Sequence, residues 1–148
     1  MRLHLIQLRE VSDPKSYSQL EEFNDLALLN YYSLEALYFD EKLTQCTRNF
    51  IFTADTTWER KYLENVGALY AMLDEAVKVE STFQTNNFKA LFQINDELYI
   101  IENKAFELTK EGKTEEALAL LEASSYQRQK ENYLQALKSY QNNVFRCL

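Results

Sequence analysis

Apolar residues recur at spacings of three and four through the middle of the chain, which is the period of a helix with one buried face. Between residues 56 and 80 they form one seam, which consists of Trp58, Tyr62, Val66, Leu69, Leu73 and Ala76. Between residues 88 and 110 a second seam consists of Phe88, Leu91, Asn95, Leu98, Glu102, Ala105 and Thr109. The pattern predicts two amphipathic helices, and the second carries polar side chains on its inward face.

A longer helix is predicted ahead of them, because nothing breaks the helical pattern from Lys15 to Phe52. At 1.5 Å per residue it would be roughly 55 Å long. Ser12-Asp13-Pro14 is typical of its start, with a capping side chain followed by proline in the first turn. We expect residues 1–14 to form an N-terminal arm or a short helix.

Short polar breaks separate the predicted helices. The loop 53–57 ends in a capping box made by Thr56 and Glu59, and capping residues at 85–87 close the second break. Gly112 is placed to end the third helix. In the last region, 114–145, a second capping box made by Ser124 and Gln127 is compatible with one kinked helix or with two helices.

Composition supports an all-helical fold. The 148 residues include two glycines and one proline, so β-hairpins lack their usual turn residues. The length suits one domain with a real core. The sequence therefore predicts an all-α fold, an antiparallel up-down four-helix bundle spanning residues 1–148 as a single domain, with a fourth helix that is kinked or split.

Polar residues at one level of this bundle form a candidate site. Heptad counting places Leu34, Leu37, Glu41, Thr44, Arg48 and Ile51 on the inward face of the first helix. Thr44 and Glu102 each lie about 12–13 Å from the helix end that up-down packing brings together. The residues expected to contact a ligand are Asp40, Glu41, Thr44, Arg48, Trp58, Tyr62, Asn95 and Glu102.

Two interpretations of this cluster remain open. Arg48 could pair with Glu41 or Glu102 as a buried ion pair that sets the register, with Trp58 and Tyr62 as ordinary core aromatics. Alternatively the cluster binds a small polar molecule. A guanidinium suits a carboxylate, and acidic groups with aromatic faces suit an amine, so an amino-acid-like or amine ligand is expected.

Other functions find little support in the sequence. The net charge of −7 argues against nucleic-acid binding. His4 is the single histidine, so we expect no metal and no cofactor, and an enzyme would have to use Glu41 and Glu102 for acid–base chemistry. Cys46 and Cys147 fit no metal or redox spacing, which leaves a disulfide as an alternative to free thiols. No stretch reaches the roughly 20 apolar residues of a membrane span, and no signal peptide opens the chain.

Several motifs resemble one known class of helical domain. These are Asp40-Glu41-x-Leu43-Thr44-x-x-x-Arg48, Thr53-x-Asp55-x-x-Trp58-Glu59-x-x-Tyr62, Asn95-x-x-Leu98-x-x-x-Glu102-x-x-Ala105-Phe106, Gly112-x-x-x-Glu116-Ala117 and Tyr126-x-x-Gln129-Lys130-x-x-Tyr133. Their order and spacing, over about residues 34–140, resemble the extracytoplasmic helical-bundle sensor domain of bacterial membrane-anchored histidine kinases, diguanylate cyclases and chemoreceptors.

The resemblance implies a non-catalytic, periplasmic signal-transduction domain that binds a small molecule. It would be attached to the membrane only through flanking segments, and this chain contains neither those nor an output module. Such domains are expected to pair as homodimers, although the sequence itself leaves dimerisation open. A free-standing relative of unknown compartment is the alternative.

A second resemblance points to a protein-interaction module. Ala105-x-x-Leu108-x-x-x-Gly112-x-x-x-Glu116-Ala117-x-x-Leu120-Leu121 looks like half of a tetratricopeptide repeat. Arrays of such repeats need about three copies to bury a continuous face, and no second copy is evident. This remains the alternative function.

Overall fold

A computed structural model describes the backbone of residues 14–147 and the side-chain surroundings of residues 16–138 and 140. Five α-helices and one turn of 3₁₀-helix account for nearly all of it. They are α1 (Pro14–Thr53), α2 (Thr56–Glu80), the 3₁₀ turn (Ser81–Phe83), α3 (Asn87–Lys110), α4 (Thr114–Glu122) and α5 (Ser124–Cys147). The predicted all-α bundle is confirmed. The predicted arm at 1–14 lies outside the described residues, apart from Pro14, where α1 begins.

The predicted fourth helix is split. Ala123 adopts an extended conformation between α4 and α5, with φ −65° and ψ 148°. In the capping box predicted at Ser124 and Gln127, the Gln127 side chain would accept a hydrogen bond from the Ser124 amide. It instead donates to the Leu121 carbonyl, in the last turn of α4, at 2.8 Å. That bond ties the start of α5 to the end of α4.

The start of α2 is capped by Asp55, so the predicted capping box at Thr56 is wrong. Asp55 has extended backbone angles, and its Oδ1 accepts a hydrogen bond from the Thr57 amide at 2.9 Å. A carboxylate at this position satisfies one of the free amides of the first turn and carries the charge that the helix N-terminus favours.

The connection between α2 and α3 is anchored by a buried carboxylate, Glu80. Its Oε1 accepts a hydrogen bond from the amide of Phe88 at 2.8 Å, and its Oε2 accepts from the side chains of Thr85 and Asn87 at 2.9 and 3.1 Å. Glu80 thus supplies the cap of α3 from the preceding helix, and Gln84 turns the chain in the left-handed region at φ 58°.

Gly112 ends α3 as predicted. Its φ of 78° lies in the left-handed region, which only glycine adopts without strain. The α3–α4 hairpin that follows covers the predicted half-repeat, and Ala105, Ala117 and Leu121 are buried in the common core of the bundle.

The buried faces of α2 and α3 agree with the predicted seams. In α3 all seven predicted positions are buried, including Asn95, Glu102 and Thr109. In α2 two members of the seam, Trp58 and Val66, are half-buried and the remainder is buried.

The predicted buried face of α1 is wrong. Leu34, Leu37, Glu41 and Arg48 are exposed, and Thr44 is half-buried; only Ile51 is in the core. The buried positions of the helix are Leu29, Ser33, Ala36, Leu43, Cys46, Thr47, Phe50 and Ile51. Because the inward face of α1 includes Ser33, Ala36 and Thr47 while several large apolar residues face outward, hydrophobicity alone selects the wrong face.

Two hydrogen bonds define how α1 and α5 run past each other. The Tyr133 hydroxyl donates to the carbonyl of Ala36 at 2.9 Å, and Lys130 contacts Asp40. Since the contact moves backwards along α1 as it moves forwards along α5, the two helices are antiparallel. The first turns of α1 and the last turns of α5 therefore lie at the same end of the bundle.

None of the helices in the described part is both long enough and apolar enough to cross a membrane. Cys46, the thiol whose surroundings are described, is free and buried.

Candidate functional site

A buried carboxyl group stands at the centre of the bundle. Glu102 of α3 is 3% exposed, and its two oxygens accept hydrogen bonds from two tyrosines. The hydroxyl of Tyr62 in α2 donates to Oε1 at 2.8 Å, and that of Tyr126 in α5 donates to Oε2 at 2.9 Å. Three helices are therefore joined through one side chain.

Burial changes the acid–base properties of this group. It raises the pKa of Glu102 to about 7 from an ordinary value of 4.5, and the hydrogen bonds from Tyr62 and Tyr126 oppose the rise. The pKa of each tyrosine is raised by burial and by the nearby Glu102 charge, so both hydroxyls remain protonated donors. Near neutral pH the carboxyl can either hold or release a proton.

An ion pair lies beside this group, between α1 and α5. The Lys130 ammonium donates to Asp40 Oδ2 at 2.7 Å and to Thr44 Oγ1 at 2.6 Å. Thr44 in turn donates to the backbone carbonyl of Asp40 at 3.0 Å. Burial raises the pKa of Asp40, although Lys130 partly offsets it.

The ion pair and the buried carboxyl form one connected cluster. Burial raises the pKa of Glu102 and the charge of Lys130 lowers it, while burial and the Glu102 charge raise the pKa of Tyr126 and the Thr44 hydroxyl lowers it. We call the cluster the polar network. Its members come from α1, α2, α3 and α5, and they are Asp40, Thr44, Tyr62, Glu102, Tyr126 and Lys130.

The two ends of the polar network differ in their access to solvent. Glu102 and both tyrosines are sealed, whereas the side chains of Lys130 and Asp40 keep 19% and 11% of their surface exposed. Lys130 also lines a groove of about 310 Å³ along α5, together with Gln127, Glu131, Leu134, Gln135 and Lys138. The Asp40–Lys130 pair is thus the reachable end of the network.

The structure brings together four of the eight predicted site residues. Asp40, Thr44, Tyr62 and Glu102 belong to the polar network. Glu41 and Arg48 are exposed on the outer side of α1, so the prediction that they face the bundle interior, or form a buried ion pair there, is wrong. The cation that fills this role is Lys130.

The remaining two predicted residues lie elsewhere. Trp58 is half-buried at the start of α2, where the Lys61 ammonium stands 4.7 Å from its ring centroid. Asn95 is buried two turns away from Glu102 in α3, and within the described part of the chain its Nδ2 has no hydrogen-bond partner.

Two members of the network, Tyr126 and Lys130, are absent from the predicted site. They are four residues apart and Tyr133 is three further on, which places all three on one face of α5. That spacing is the sequence pattern that indicates the inward face of α5. Together with the placement of Glu102 on the inward face of α3, it predicts Tyr126 and Lys130 as members of the site, because a buried carboxylate requires hydrogen-bond donors from neighbouring helices.

The groups of the polar network can gain or lose a proton, at Glu102, or exchange ion-pair partners, at Asp40 and Lys130. Over the residues that the structure describes, no group of three histidine, cysteine or acidic side chains is placed to hold a metal ion. The acid–base reaction considered above would need Glu41 and Glu102 to reach one substrate, but Glu41 lies on the outer face of α1 and Glu102 at the bundle centre. The arrangement does not support that reaction.

Comparison with known proteins identifies the fold. No family model matches the chain, and no curated protein matches it. One solved structure that does match is the sensor domain of the histidine kinase HK9 from Rhodopseudomonas palustris, with a TM-score of 0.61 and 22% sequence identity. The match covers 83% of this chain and 92% of that one. The protein therefore has the all-helical fold of a histidine kinase sensor domain, and the resemblance found in the sequence is confirmed at the level of fold.

Proposed function

We propose that this chain is a signal-sensing domain that binds a small zwitterion of amino-acid type at the reachable end of the polar network. The observation that carries the proposal is the Asp40–Lys130 pair, a partly accessible ion pair coupled to a sealed carboxyl group. A bundle that needed only rigidity would gain as much from apolar packing, because replacing a buried ion pair by apolar residues is often neutral or stabilising.

The charges of the pair specify the ligand class. A ligand carboxylate in the α5 groove would take Lys130, which lines the groove, from Asp40, and a ligand ammonium would pair with Asp40, which keeps 11% of its side-chain surface exposed beside Lys130. A molecule that carries both groups replaces the ion pair without leaving either charge unpaired. A ligand with a single charge would pair with only one of Asp40 and Lys130. The other would remain half-buried without a partner, which costs free energy.

Binding would reach the rest of the bundle through charge. Lys130 holds the pKa of Glu102 below the value that burial alone would set. A ligand that draws Lys130 away therefore favours protonation of Glu102, and a protonated Glu102 accepts hydrogen bonds from Tyr62 and Tyr126 more weakly. Drawing Lys130 from Asp40 also removes a contact between α5 and α1, so the packing of those two helices changes as well.

The fold supports a sensory role for this coupling. α1 and α5 leave the bundle at the same end, so a shift between them at the network would be transmitted to whatever adjoins that end. An extracytoplasmic, non-catalytic domain of a membrane-anchored signalling protein is the setting we propose, consistent with the likeness to a histidine kinase sensor domain.

Thermal unfolding of the whole chain in the presence of candidate ligands tests the proposal. The panel holds the common amino acids, and each compound that stabilises is repeated as its decarboxylated amine and as its N-acetylated form. We expect one class of amino acid to raise the free energy of unfolding by about 2.7 kcal/mol at 100 times its Kd, and both analogues to lose the effect. The proposal fails if no zwitterion stabilises the protein or if either analogue stabilises it equally.

A further inference from the structure

Two large apolar side chains remain at the surface beside the Asp40–Lys130 pair. Leu37 of α1 is 42% exposed, and Leu134 of α5 is 39% exposed. Leu134 lines the same α5 groove as Lys130. Single exposed leucines are ordinary, but one on each helix of an accessible ion pair places an apolar surface next to a charged one. We call Leu37 and Leu134 the surface leucines.

The surface leucines lie one turn from the ion pair, in the same direction. Leu37 precedes Asp40 by three residues. Leu134 follows Lys130 by four, so each leucine is on the same side of its helix as the charged residue. Because α1 and α5 are antiparallel, a step back along α1 and a step forward along α5 lead toward the same end of the bundle. Both leucines are therefore within reach of a small molecule held by the pair.

The α5 groove has the size and the lining of a site for one small molecule. Its volume of about 310 Å³ is at the lower end of the range for ligand pockets. Such pockets combine an apolar wall with a few polar groups that fix the orientation of the ligand. Here the ion pair supplies the charged groups, and the surface leucines supply the apolar wall.

The charges around the groove disfavour an acidic ligand side chain. Glu41 and Glu131 are exposed directly after the two members of the ion pair in the sequence, and they would repel a second ligand carboxylate. Arg48 and Lys138 would attract it. Each of these cations, however, lies eight residues, about 12 Å, from the member of the pair on its own helix.

A cationic ligand side chain gains little from the same carboxylates. Glu41 and Glu131 are in solvent, where a new ion pair is screened and contributes modestly. An apolar side chain, in contrast, gains about two- to fourfold in Kd from each methylene that leaves water. The surface leucines therefore favour an aliphatic ligand side chain over either charged type.

From these observations we propose that the ligand is an amino acid with an aliphatic side chain, which packs on Leu37 and Leu134 while its charged groups replace the Asp40–Lys130 pair. The inference rests on the proposed function, since it requires a zwitterion at that pair, and it adds the class of side chain that the domain selects. Because the surface leucines belong to different helices, such a side chain contacts α1 and α5 together. It connects the two helices that the ion pair no longer joins.

Calorimetric titration of the full chain with a series of amino acids tests this inference. Glycine, alanine, norvaline and free leucine carry the same charges and an increasingly large apolar side chain, whereas glutamate and lysine carry an added charge. We expect Kd to fall about two- to fourfold for each added methylene, and free leucine to bind at least about tenfold more tightly than glutamate or lysine. Valine should bind more tightly than threonine, which has nearly the same shape but carries a hydroxyl.

Substitution of the surface leucines locates the apolar contact. Leu37→Ala and Leu134→Ala should each reduce the preference for free leucine over glycine by about threefold or more, and change the Kd of glycine by about twofold or less. This preference is a ratio of two Kd values for one protein, so a general loss of stability does not alter it. Leu63→Ala is the matched control, because Leu63 is also an exposed leucine but lies on α2, and it should leave the preference unchanged.

The possible results separate this inference from the proposed function. If all of these zwitterions bind with similar Kd, or if glutamate or lysine binds more tightly than free leucine, the class of side chain is overturned and the binding of a zwitterion stands. An unchanged preference in both Leu37→Ala and Leu134→Ala, or an equal change in Leu63→Ala, also overturns it. If no amino acid binds, the proposed function and this inference both fail.

Discussion

The hydroxyl of Tyr62 donates to Glu102 Oε1 at 2.8 Å across the interface between α2 and α3, forty residues apart in the chain. The Tyr62 ring also packs against Phe106 and Tyr99, with ring centroids at 4.7 and 6.3 Å. The aromatic packing holds the hydroxyl on the carboxylate, so the hydrogen bond and the core around it depend on each other. A substitution that removes the hydroxyl but keeps the ring therefore tests the hydrogen bond separately from the packing.

Removing the Tyr62 hydroxyl should destabilise the protein in a pH-dependent way. Because Tyr62 lowers the pKa of Glu102, it binds the carboxylate better than the carboxyl. We expect Tyr62→Phe to cost about 1.5–3 kcal/mol at pH 8, where Glu102 is ionised, and less at pH 5. Urea unfolding at both pH values measures the difference. Tyr99→Phe is the control, since it keeps a ring against Tyr62; an equal cost at both pH values would contradict the prediction.

Glu102 itself should make stability fall as pH rises toward neutrality. Between its ordinary pKa of 4.5 and its folded pKa of about 7, the folded state holds a proton that the unfolded state releases. The free energy of unfolding therefore decreases over this window, by about 3 kcal/mol, and the dependence ends above it. Glu102→Gln cannot titrate, so its stability relative to wild type should increase by that amount between pH 4.5 and pH 8. Parallel pH profiles for the two proteins would show that the carboxyl has an ordinary pKa.

Glu80 should matter more for stability than its position at the last residue of α2 suggests. It is buried and accepts three hydrogen bonds, one of them from the first amides of α3. We expect Glu80→Gln to cost about 2–4 kcal/mol and to speed hydrogen exchange of the amides at 81–88. Glu75→Gln removes an exposed acid from the same helix and should cost less than about 1 kcal/mol. Similar losses in the two variants would mean that Glu80 does not anchor the turn.

The inward face of α1 can be tested with two leucines. Leu43 is 3% exposed and Leu34 is 53% exposed, although the heptad count places Leu34 in the core. Leu43→Ala should cost about 2–5 kcal/mol, and Leu34→Ala about 0.5 kcal/mol or less. Chemical unfolding monitored by circular dichroism gives both values. A larger loss for Leu34→Ala than for Leu43→Ala would mean that the inward face of α1 is the one predicted from the sequence.

The sequence predicts α2 and α3 well for a physical reason. Their buried and exposed sides differ sharply in hydrophobicity, so the seam from Phe88 to Thr109 is identified even where Asn95 and Glu102 interrupt it. Matching distances along the helices then places Tyr62 and Glu102 at one level, and their hydrogen bond agrees with that placement.

α1 defeats the same procedure because both of its faces are apolar. Large apolar residues such as Tyr31, Leu34 and Tyr38 face outward, and the inward face includes Ser33, Ala36 and Thr47, which are small or polar. Buried hydroxyls of this kind bond to their own helix, as Thr47 does to the Leu43 carbonyl at 2.8 Å, so they need no partner that a sequence pattern could reveal. Only the packing of the neighbouring helices decides which face is buried.

The network's cation was missed for a related reason. Lys130 is 90 residues from Asp40, and its place on one face of α5 with Tyr126 and Tyr133 does not show which acidic residue it pairs with. The heptad count instead places Arg48 on the inward face of α1, one heptad from Glu41 and at the level of Glu102, and so predicts Arg48 as the cation. The cap of α3 was missed in the same way, because Glu80 acts eight residues ahead of the amide that it accepts from.

Calorimetric titration of the most stabilising zwitterion into three proteins tests the central claim most directly. These are the wild type, Lys130→Met and Lys138→Met, and the two lysines line the same groove while only Lys130 belongs to the polar network. We predict that Lys130→Met weakens binding by about 10- to 100-fold, the loss of one charge-assisted hydrogen bond, and that Lys138→Met changes Kd by about twofold or less. Equal losses in both variants, or unchanged binding in Lys130→Met, would contradict the claim that the ligand acts at the Asp40–Lys130 pair.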